Sequence, residues 1–429
     1  MGKRRSQNKT VAKHPYVDPS SNGDTTEASK EQSPRHMSVK RRLSIWSKLG
    51  IVSSLLLLLV CGAGATAYLK LQNNIAAVDL FQPGEQPSSE PPVDDNSPID
   101  ILVVGTDTRD GADSRYGSAD DSNGEGNADV MMAVHISGDR QRMSVVSIPR
   151  DTMAPFPGCV DAAGGPPWPA METQILNVAL KMGGPSCLRK TVGDLTGVSF
   201  EHFMIADFHA VVDLTNTVGG VQVCVNKAID DADSRLHLPA GNSTIQGEDA
   251  LAFLRTRSAF GDASDLSRIA AQQGFLSSLV RKIKSEKTLT DVPKLYSIAD
   301  TVTKNVTIDK GLANIPALLQ LASRLKNINP ANVTFVTVPH EPYVYDPNRV
   351  QIQQEPAKKL FSTIIADQDI STSVNDKGAA APGQDISPGV APSELPSEGA
   401  PMPTAVSVPD PLTGQNADQQ TCQSASGFK

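Results

Sequence analysis

From Leu49 to Leu69 the chain reads LGIVSSLLLLLVCGAGATAYL, twenty-one residues without a charge. Wound as a helix at 1.5 Å per residue, this run spans the ~30 Å hydrocarbon core of a bilayer. It predicts one transmembrane helix over 49–69, so the other segments must fold on one side of a membrane or the other. Lys40, Arg41, Arg42 and Lys48 stand immediately before it, and Trp46 and Tyr68 fall at its two interfaces. Positive charge is retained on the cytoplasmic side, which puts residues 1–48 inside and everything after about 70 outside. Ala63-Gly-Ala-Thr-Ala67 resembles a signal-peptide cleavage site, but the stretch before the apolar run is far longer than a signal peptide allows. The reading is therefore an uncleaved anchor, with Cys61 a thiol inside it.

Charge sharpens this division. The 429 residues carry a formal net charge of −8, yet residues 1–48 hold eleven Lys/Arg against four Asp/Glu, a net +7 that leaves −15 for the rest. A basic tail alone suggests nucleic acid, but no aromatic platform or helix-turn-helix pattern accompanies it. Its 48 polar residues lack the periodic core a DNA-binding domain needs. After the anchor, residues 70–98 read as a Pro-, Ser- and acid-rich external linker whose first dozen residues can continue the helix. Residues 99–369 read as one folded domain, and 370–429, rich in Ser, Pro, Ala, Gly and Gln without periodicity, as a disordered C-terminal tail.

Within the domain, Ile99-Asp-Ile-Leu-Val-Val-Gly105 is a short apolar run closed by glycine, the pattern of a buried strand in an α/β sheet. It delivers Thr106, Asp107, Thr108 and Arg109 to its carboxyl end, where such sheets bind ligands. Asp129–Ile136 and Met143–Ile148 read as two strands joined at Gly138-Asp139, the second ending in Pro149-Arg150-Asp151. Residues 171–182 read as a helix closed by Gly183-Gly184-Pro185, and 188–195 as a second one. Residues 202–208 and 220–225 read as strands around a helix at 210–218, with Asp207 and Asp213 as capping residues. The stretch 265–285 is an amphipathic helix whose Leu266, Ile269, Leu276, Val280 and Ile283 mark one face. Residues 288–326 look helical, and 332–338 give a further strand.

Four cysteines, Cys159, Cys187, Cys224 and Cys422, fall on the external side, where disulfides persist, and their spacing matches no zinc pattern. Cys187 and Cys224 lie within the globular region whereas Cys422 lies in the tail, so a Cys187–Cys224 bond is expected. Cys159 is then left over or joined to Cys422.

The stretch 251–268 concentrates positive charge. Arg255 and Arg257 end an apolar helix, Gly261 breaks it, and Arg268 lies in the first turn of the next, where it opposes the helix dipole. An anion among three guanidiniums would remove that penalty, since bidentate forks and helix N-termini suit phosphate oxygens. The alternative is a solvated turn with Arg268 paired to Asp265 or Asp262.

Taken in order, Gly105-Thr-Asp-Thr-Arg109, Asp129-Val-Met-Met, Ser147-Ile-Pro-Arg-Asp151, Val218-Gly-Gly-Val221, Ala250-Leu-Ala-Phe-Leu-Arg-Thr-Arg257 and Asp265-Leu-Ser-Arg268 resemble the successive motifs of the LytR-CpsA-Psr family. Two departures are visible: Thr106 and Thr108 replace the usual serines, and Asn127-Ala128 replaces an Arg-Ser or Arg-Thr pair. The resemblance implies a three-layer α-β-α domain with a central mixed sheet. It implies an extracytoplasmic phosphotransferase that moves a glycopolymer from a polyprenyl pyrophosphate carrier onto peptidoglycan, with no nucleic-acid partner. Arg109, Arg150, Arg255, Arg257, Arg268 and Gln272 are then expected on the pyrophosphate, with Arg150, Arg255 and Arg268 also catalytic. Asp107 and Asp129 are expected to hold Mg²⁺ or Mn²⁺, because hard oxygen donors suit these ions. The resemblance favours Asp129 as the base for the acceptor hydroxyl and leaves Asp107 and Asp151 open. Two rivals use the same chain: a polyprenyl-pyrophosphate phosphohydrolase with water as acceptor, and a non-catalytic envelope or regulatory protein.

Overall fold

A computed structural model describes residues 44–85, 96–108, 126–256, 259–262, 264–285, 288, 290–370 and 414–425. The expected basic tail up to residue 43, Arg109, Arg257 and residues 371–413 lie outside the described residues. The chain divides into two units, residues 1–60 and 61–429.

Helix α1, Ile45–Asn74, carries the apolar run and extends it at both ends, with Leu55 to Leu59 exposed. Among the described residues it alone is long and apolar enough to cross a membrane.

The second unit is built on an eight-stranded mixed sheet. Its strands are β1 (Ala76–Val78), β2 (Ile99–Thr106), β3 (Ala128–Ile136), β4 (Met143–Ile148), β7 (His202–Ala206), β12 (Val306–Asp309), β13 (Val333–Thr337) and β16 (Gly414–Asn416). Their order is β1-β12-β7-β2-β3-β4-β13-β16. Strand β2 runs parallel to β7 and antiparallel to β3, and β4 runs parallel to β13. The carboxyl ends of β2, β4, β7 and β13 therefore share one edge with the start of β3.

Alternation along the strands makes the layers. Leu102 and Val104 of β2, with Met131, Val146 and Phe203, pack against helix α2 (Val178–Thr196) and helix α8 (Gln354–Ile365). Ile101, Val145, Ile308 and Phe335 face the other way, toward helix α5 (Asp265–Lys284) and helix α7 (Ile315–Lys326). Beside α5, a further core cluster joins helix α3 (Phe208–Val218) and helix α4 (Glu248–Arg255) to the ladder of β8 (Val221–Val225) with β11 (Gly241–Ile245) and the pair β9 (Ile229–Asp231) with β10 (Leu236–Leu238). Helix α6 (Val292–Asn305) packs on α3, where Thr217 and Thr301 share a hydrogen bond of 2.8 Å.

Several expectations are corrected. Met171–Ile175 is strand β6, paired with β5 (Met153–Phe156), and the helix begins only at Val178. Five residues of mixed polarity fit either period, and the partner strand decides between them. The predicted break appears as a kink inside α2 at Gly184 (φ 70°), followed by Pro185. Within 288–326 the β-branched run Val306-Thr-Ile is a strand, because it finds an edge on β7.

The linker and the tail both contribute structure. Gln72 and Asn74 bond to Ala313 O and to Asp300, and β1 extends the sheet beside β12. At the opposite edge β16 pairs with β13, and Arg281 reaches the carbonyls of Ala417 and Gln419. The expected Cys187–Cys224 bond is wrong: the disulfides are Cys159–Cys187 and Cys224–Cys422. Cys187 sits in the α2 core while Cys224 lies on β8, between the core residues Val223 and Val225 and beside the returning C-terminal segment, where Gln423 N donates to Cys224 O at 2.8 Å. Gly183 makes the first bond possible, since a Cβ there would lie 2.6 Å from both Cys159 Cβ and Cys187 Cβ.

Candidate functional site

The site forms where strand ends deliver short polar segments to the sheet edge. After Gly105 the β2–β3 register shifts and Asp107 leaves the ladder. Its Oδ1 accepts from Asn127 N at 2.7 Å, and Thr108 N donates to Thr106 Oγ1 at 3.3 Å. Gly126 closes this turn at φ +71°, and a Cβ there would come within 2.7 Å of Thr106 Oγ1 and Thr108 N. Only glycine admits so close a return.

Asp129, at the start of β3, accepts from Arg150 Nη1 at 2.5 Å. Arg150 Nε stands 3.6 Å from Asp151 and 3.7 Å from Asp265, and Asp265 pairs with Arg268. Arg349 of β15 (Asp346–Ile352) donates to Asp151 at 2.5 Å. The result is a chain of alternating charge from Asp129 through Arg150 to Asp151 and Asp265. Burial alone would lower the Arg150 pKa, but the surrounding carboxylates outweigh it and raise it. Burial raises the Asp265 pKa, against the pull of Arg268 and Arg150. Arg150 Nε and Asp265 Oδ2 are buried without a hydrogen-bond partner among the described residues, although such atoms nearly always find one. A recess of about 10 Å³, the size of one water, lies between Asp129, Arg150, Asp265 and Gln272.

Asp129 and Gln272 also open onto a larger cavity of about 490 Å³. Its mouth carries Asp107, Asp129, Asp207, Arg255, Arg268 and Gln272. Its depth is apolar, walled by Val103 and Met132 of the sheet, Leu214 of α3, Leu254 of α4, Leu276 of α5 and Val302 of α6. The Arg255 guanidinium lies over the Phe208 ring at 4.6 Å, an arrangement that holds a cation over the negative face of the ring. Asp207 caps α3 by accepting from Ala210 N at 2.8 Å, and burial raises its pKa.

The structure thus brings Asp107, Asp129, Arg255, Arg268 and Gln272 to one cavity and seats Arg150 behind Asp129. The pairing of Arg268 with Asp265 is present as well; Asp262 instead accepts from Ser264 N and Ser267 Oγ, which lower its pKa to about 2. Sequence reasoning missed Arg349 and Phe208, which belong to no motif, and took Asp207 only as a cap. The cavity lining was invisible to it because an apolar wall reads as core. Asp107 and Asp129 both line this cavity, and carboxylate oxygens are the donors a small hard cation takes; among the described residues no group of three or more His, Cys, Asp or Glu is gathered as a metal site.

The site is thus an apolar chamber at the sheet edge of an α/β domain, with carboxylates and guanidiniums in the same lining. The LytR_cpsA_psr family model matches residues 66–366, and the chain belongs to that family. The cell wall biosynthesis protein LcpA of Corynebacterium glutamicum is 33% identical over 309 residues, covering 67% of this chain and 58% of LcpA. The chain spans about three fifths of the length of the first two curated relatives it matches. The polyisoprenyl-teichoic acid–peptidoglycan teichoic acid transferase TagT of Bacillus subtilis is 28% identical over 348 residues, 76% of this chain and 96% of TagT. A LytR-Csp2A-Psr enzyme from Actinomyces oris shares the fold, with a TM-score of 0.51 at 21% identity over 68% of this chain and 96% of that one.

Proposed function

We propose that this protein is a membrane-anchored phosphotransferase that moves a glycopolymer from a polyprenyl pyrophosphate carrier onto peptidoglycan. One observation carries the reading: a single cavity joins an apolar chamber of about 490 Å³ to a mouth holding Asp107, Asp129, Arg255 and Arg268. A prenyl pyrophosphate has that division, an apolar chain ending in a dianionic head. The names of LcpA and TagT, a cell wall biosynthesis protein and a teichoic acid transferase, support the same class.

In this reading the prenyl chain enters between α3, α4, α5 and α6. Arg255 and Arg268 pair with the pyrophosphate oxygens, while Gln272 donates to them from one turn beyond Arg268; Arg109 and Arg257, expected there from the motifs, lie outside the described residues. Arg150 orients Asp129, and its Nε faces a recess the size of one water, through which it would act on the pyrophosphate indirectly. The acceptor hydroxyl attacks the phosphorus bearing the glycan, and its proton passes to Asp129. The bridging P–O bond breaks, polyprenyl phosphate leaves, and a phosphodiester joins glycan to wall. Asp107 and Asp129 would hold a Mg²⁺ or Mn²⁺ ion, which when bound neutralises charge on the pyrophosphate. The basic residues before α1 assign residues 1–48 to the cytoplasm and the catalytic domain to the outside.

The test is to incubate the purified protein with lipid pyrophosphate-linked glycan and peptidoglycan and to search for a phosphodiester-linked conjugate. Release of free glycan phosphate without conjugate would make water the acceptor and the protein a phosphohydrolase. Absence of both products would leave the non-catalytic reading.

A further inference from the structure

A second cavity, of about 650 Å³, opens on the surface beside the β5–β6 pair. Glu172 of β6, Glu341 and Tyr343 of β14 (His340–Tyr343), Gln351 of β15 and Gln354 and Glu355 of α8 supply its polar lining, with the apolar Met153 and Ile352 beneath. Among the described residues its lining contains three glutamates and neither lysine nor arginine. At the tip of the β14–β15 hairpin Val344 and Tyr345 are 76% and 85% exposed, and the Tyr345 ring meets Tyr343 edge to face at 5.5 Å. Tyr343 lines the groove and Tyr345 stands beside it at the hairpin tip, so an aromatic side chain shares the lining with amide and carboxylate groups. Apolar ring faces beside planar hydrogen-bonding groups match a pyranose, which has C–H faces and a rim of hydroxyl and acetamido groups.

The groove is joined to the proposed catalytic centre by hydrogen bonds from strand β15. Arg349 bonds Asp151 at 2.5 Å, Val350 N donates to Asp151 O at 3.2 Å, and Thr152 bridges Val350. Gln351 follows Arg349 by two residues on the same face of β15, about 7 Å further along, and is held by Glu341 at 2.8 Å. A chain lying in the groove and extended along β15 would reach the Asp151–Arg150–Asp129 relay. We propose that this groove is the acceptor site, binding the N-acetylhexosamine backbone of a peptidoglycan strand; the proposal rests on the transfer reading above and names the seat of its second substrate. Charge selects the occupant. An uncharged amide-rich glycan is admitted beside Glu172, Glu341 and Glu355, whereas a phosphate-bearing donor polymer is repelled by them and attracted to the arginines of the other cavity.

The experiment compares the full-length protein with a Tyr343→Ala, Gln351→Ala double variant and, separately, Glu172→Lys, whose exposed position leaves folding intact. Binding is measured to sacculi stripped of attached polymer and to a soluble N-acetylglucosamine tetramer, and polyprenyl phosphate binding is followed by thermal shift. Saturable glycan binding that falls at least tenfold in the double variant, with the polyprenyl phosphate shift retained, is expected. In the transfer assay the same variant should raise the acceptor KM about tenfold and leave kcat near wild type. Glycan binding unchanged in the double variant, or preference of the groove for the anionic polymer, overturns the proposal. Loss of glycan binding in the variant of a protein that transfers nothing would keep the groove and remove the transfer reading instead.

Discussion

At Arg255 and Arg268 two demands meet: each guanidinium is partnered, Arg255 by the Phe208 ring and Arg268 by Asp265, and each still faces the cavity. Arg255→Ala or Arg268→Ala should lower kcat/KM on the order of a hundredfold, about 3 kcal/mol of transition-state binding, with the melting temperature little changed. Lysine should rescue poorly, since it keeps charge and loses the fork. Near-normal turnover of the double alanine variant would remove both from the site. Asp107→Ala activity should recover in part at high Mg²⁺ if Asp107 holds the ion, whereas Asp129→Ala, lacking the base, should not. The arginines were legible because they recur at motif spacing; Arg349 was not, because a lone arginine on a hairpin has no pattern until the hairpin docks on Asp151.

At the scale of the element, β3 carries a buried His135 whose Nδ1 lies 2.8 Å from Asp100 on β2 and whose Nε2 lies 3.2 Å from Asp367 just beyond α8. Arg142 and Gly138 N also reach Asp367. Burial opposes a charge on the ring, but the bonds and charges of the two aspartates outweigh it and raise its pKa. The charged ring therefore stabilises the fold fully below its unfolded value of about 6.5, and that contribution is lost as pH rises through the higher folded value. Melting temperature should fall on going from pH 6 to pH 9, and His135→Gln should flatten the fall. A slope equal to wild type in that variant would show that other groups set it. The C-terminal element depends on Cys224–Cys422, which closes a loop of 198 residues. Cys422→Ser should cost about 2–4 kcal/mol in urea unfolding and loosen β16 from β13, read as faster amide exchange at the edge.

For the second unit as a whole, the proposed function rests on the cavity between the sheet and α3–α6. The cavity of about 490 Å³ is large enough to take a length of apolar chain, which is the role the proposed function gives it. Leu214→Trp should fill part of it, keep or raise the melting temperature, and weaken polyprenyl phosphate binding at least tenfold in a thermal-shift titration. Unchanged lipid binding would place the chain elsewhere. The charge gathers at one end of the same space because strand ends and helix ends converge there, and a neighbouring apolar wall strengthens the ion pairs beside it.

Local order along the chain was enough for the anchor, for strands β2, β3, β4 and β13, and for the long α5, since a run of apolar residues or a 3.6-residue stripe is written in consecutive positions. It was also enough to single out Asp107, Asp129, Arg150, Arg255 and Arg268, which sit at or beside the ends of β2, β3, β4, α4 and α5. It misread Met171–Ile175, Val306–Asp309 and Gly414–Asn416 because a short strand has no stability of its own and exists only when an edge is free to receive it. It mispaired the cysteines for the same reason, as spacing along the chain carries no information about which core cluster each one enters. Only tertiary packing made the cavity, since its walls are side chains from α3, α4, α5, α6 and the sheet that look like core in one dimension and enclose an apolar space in three.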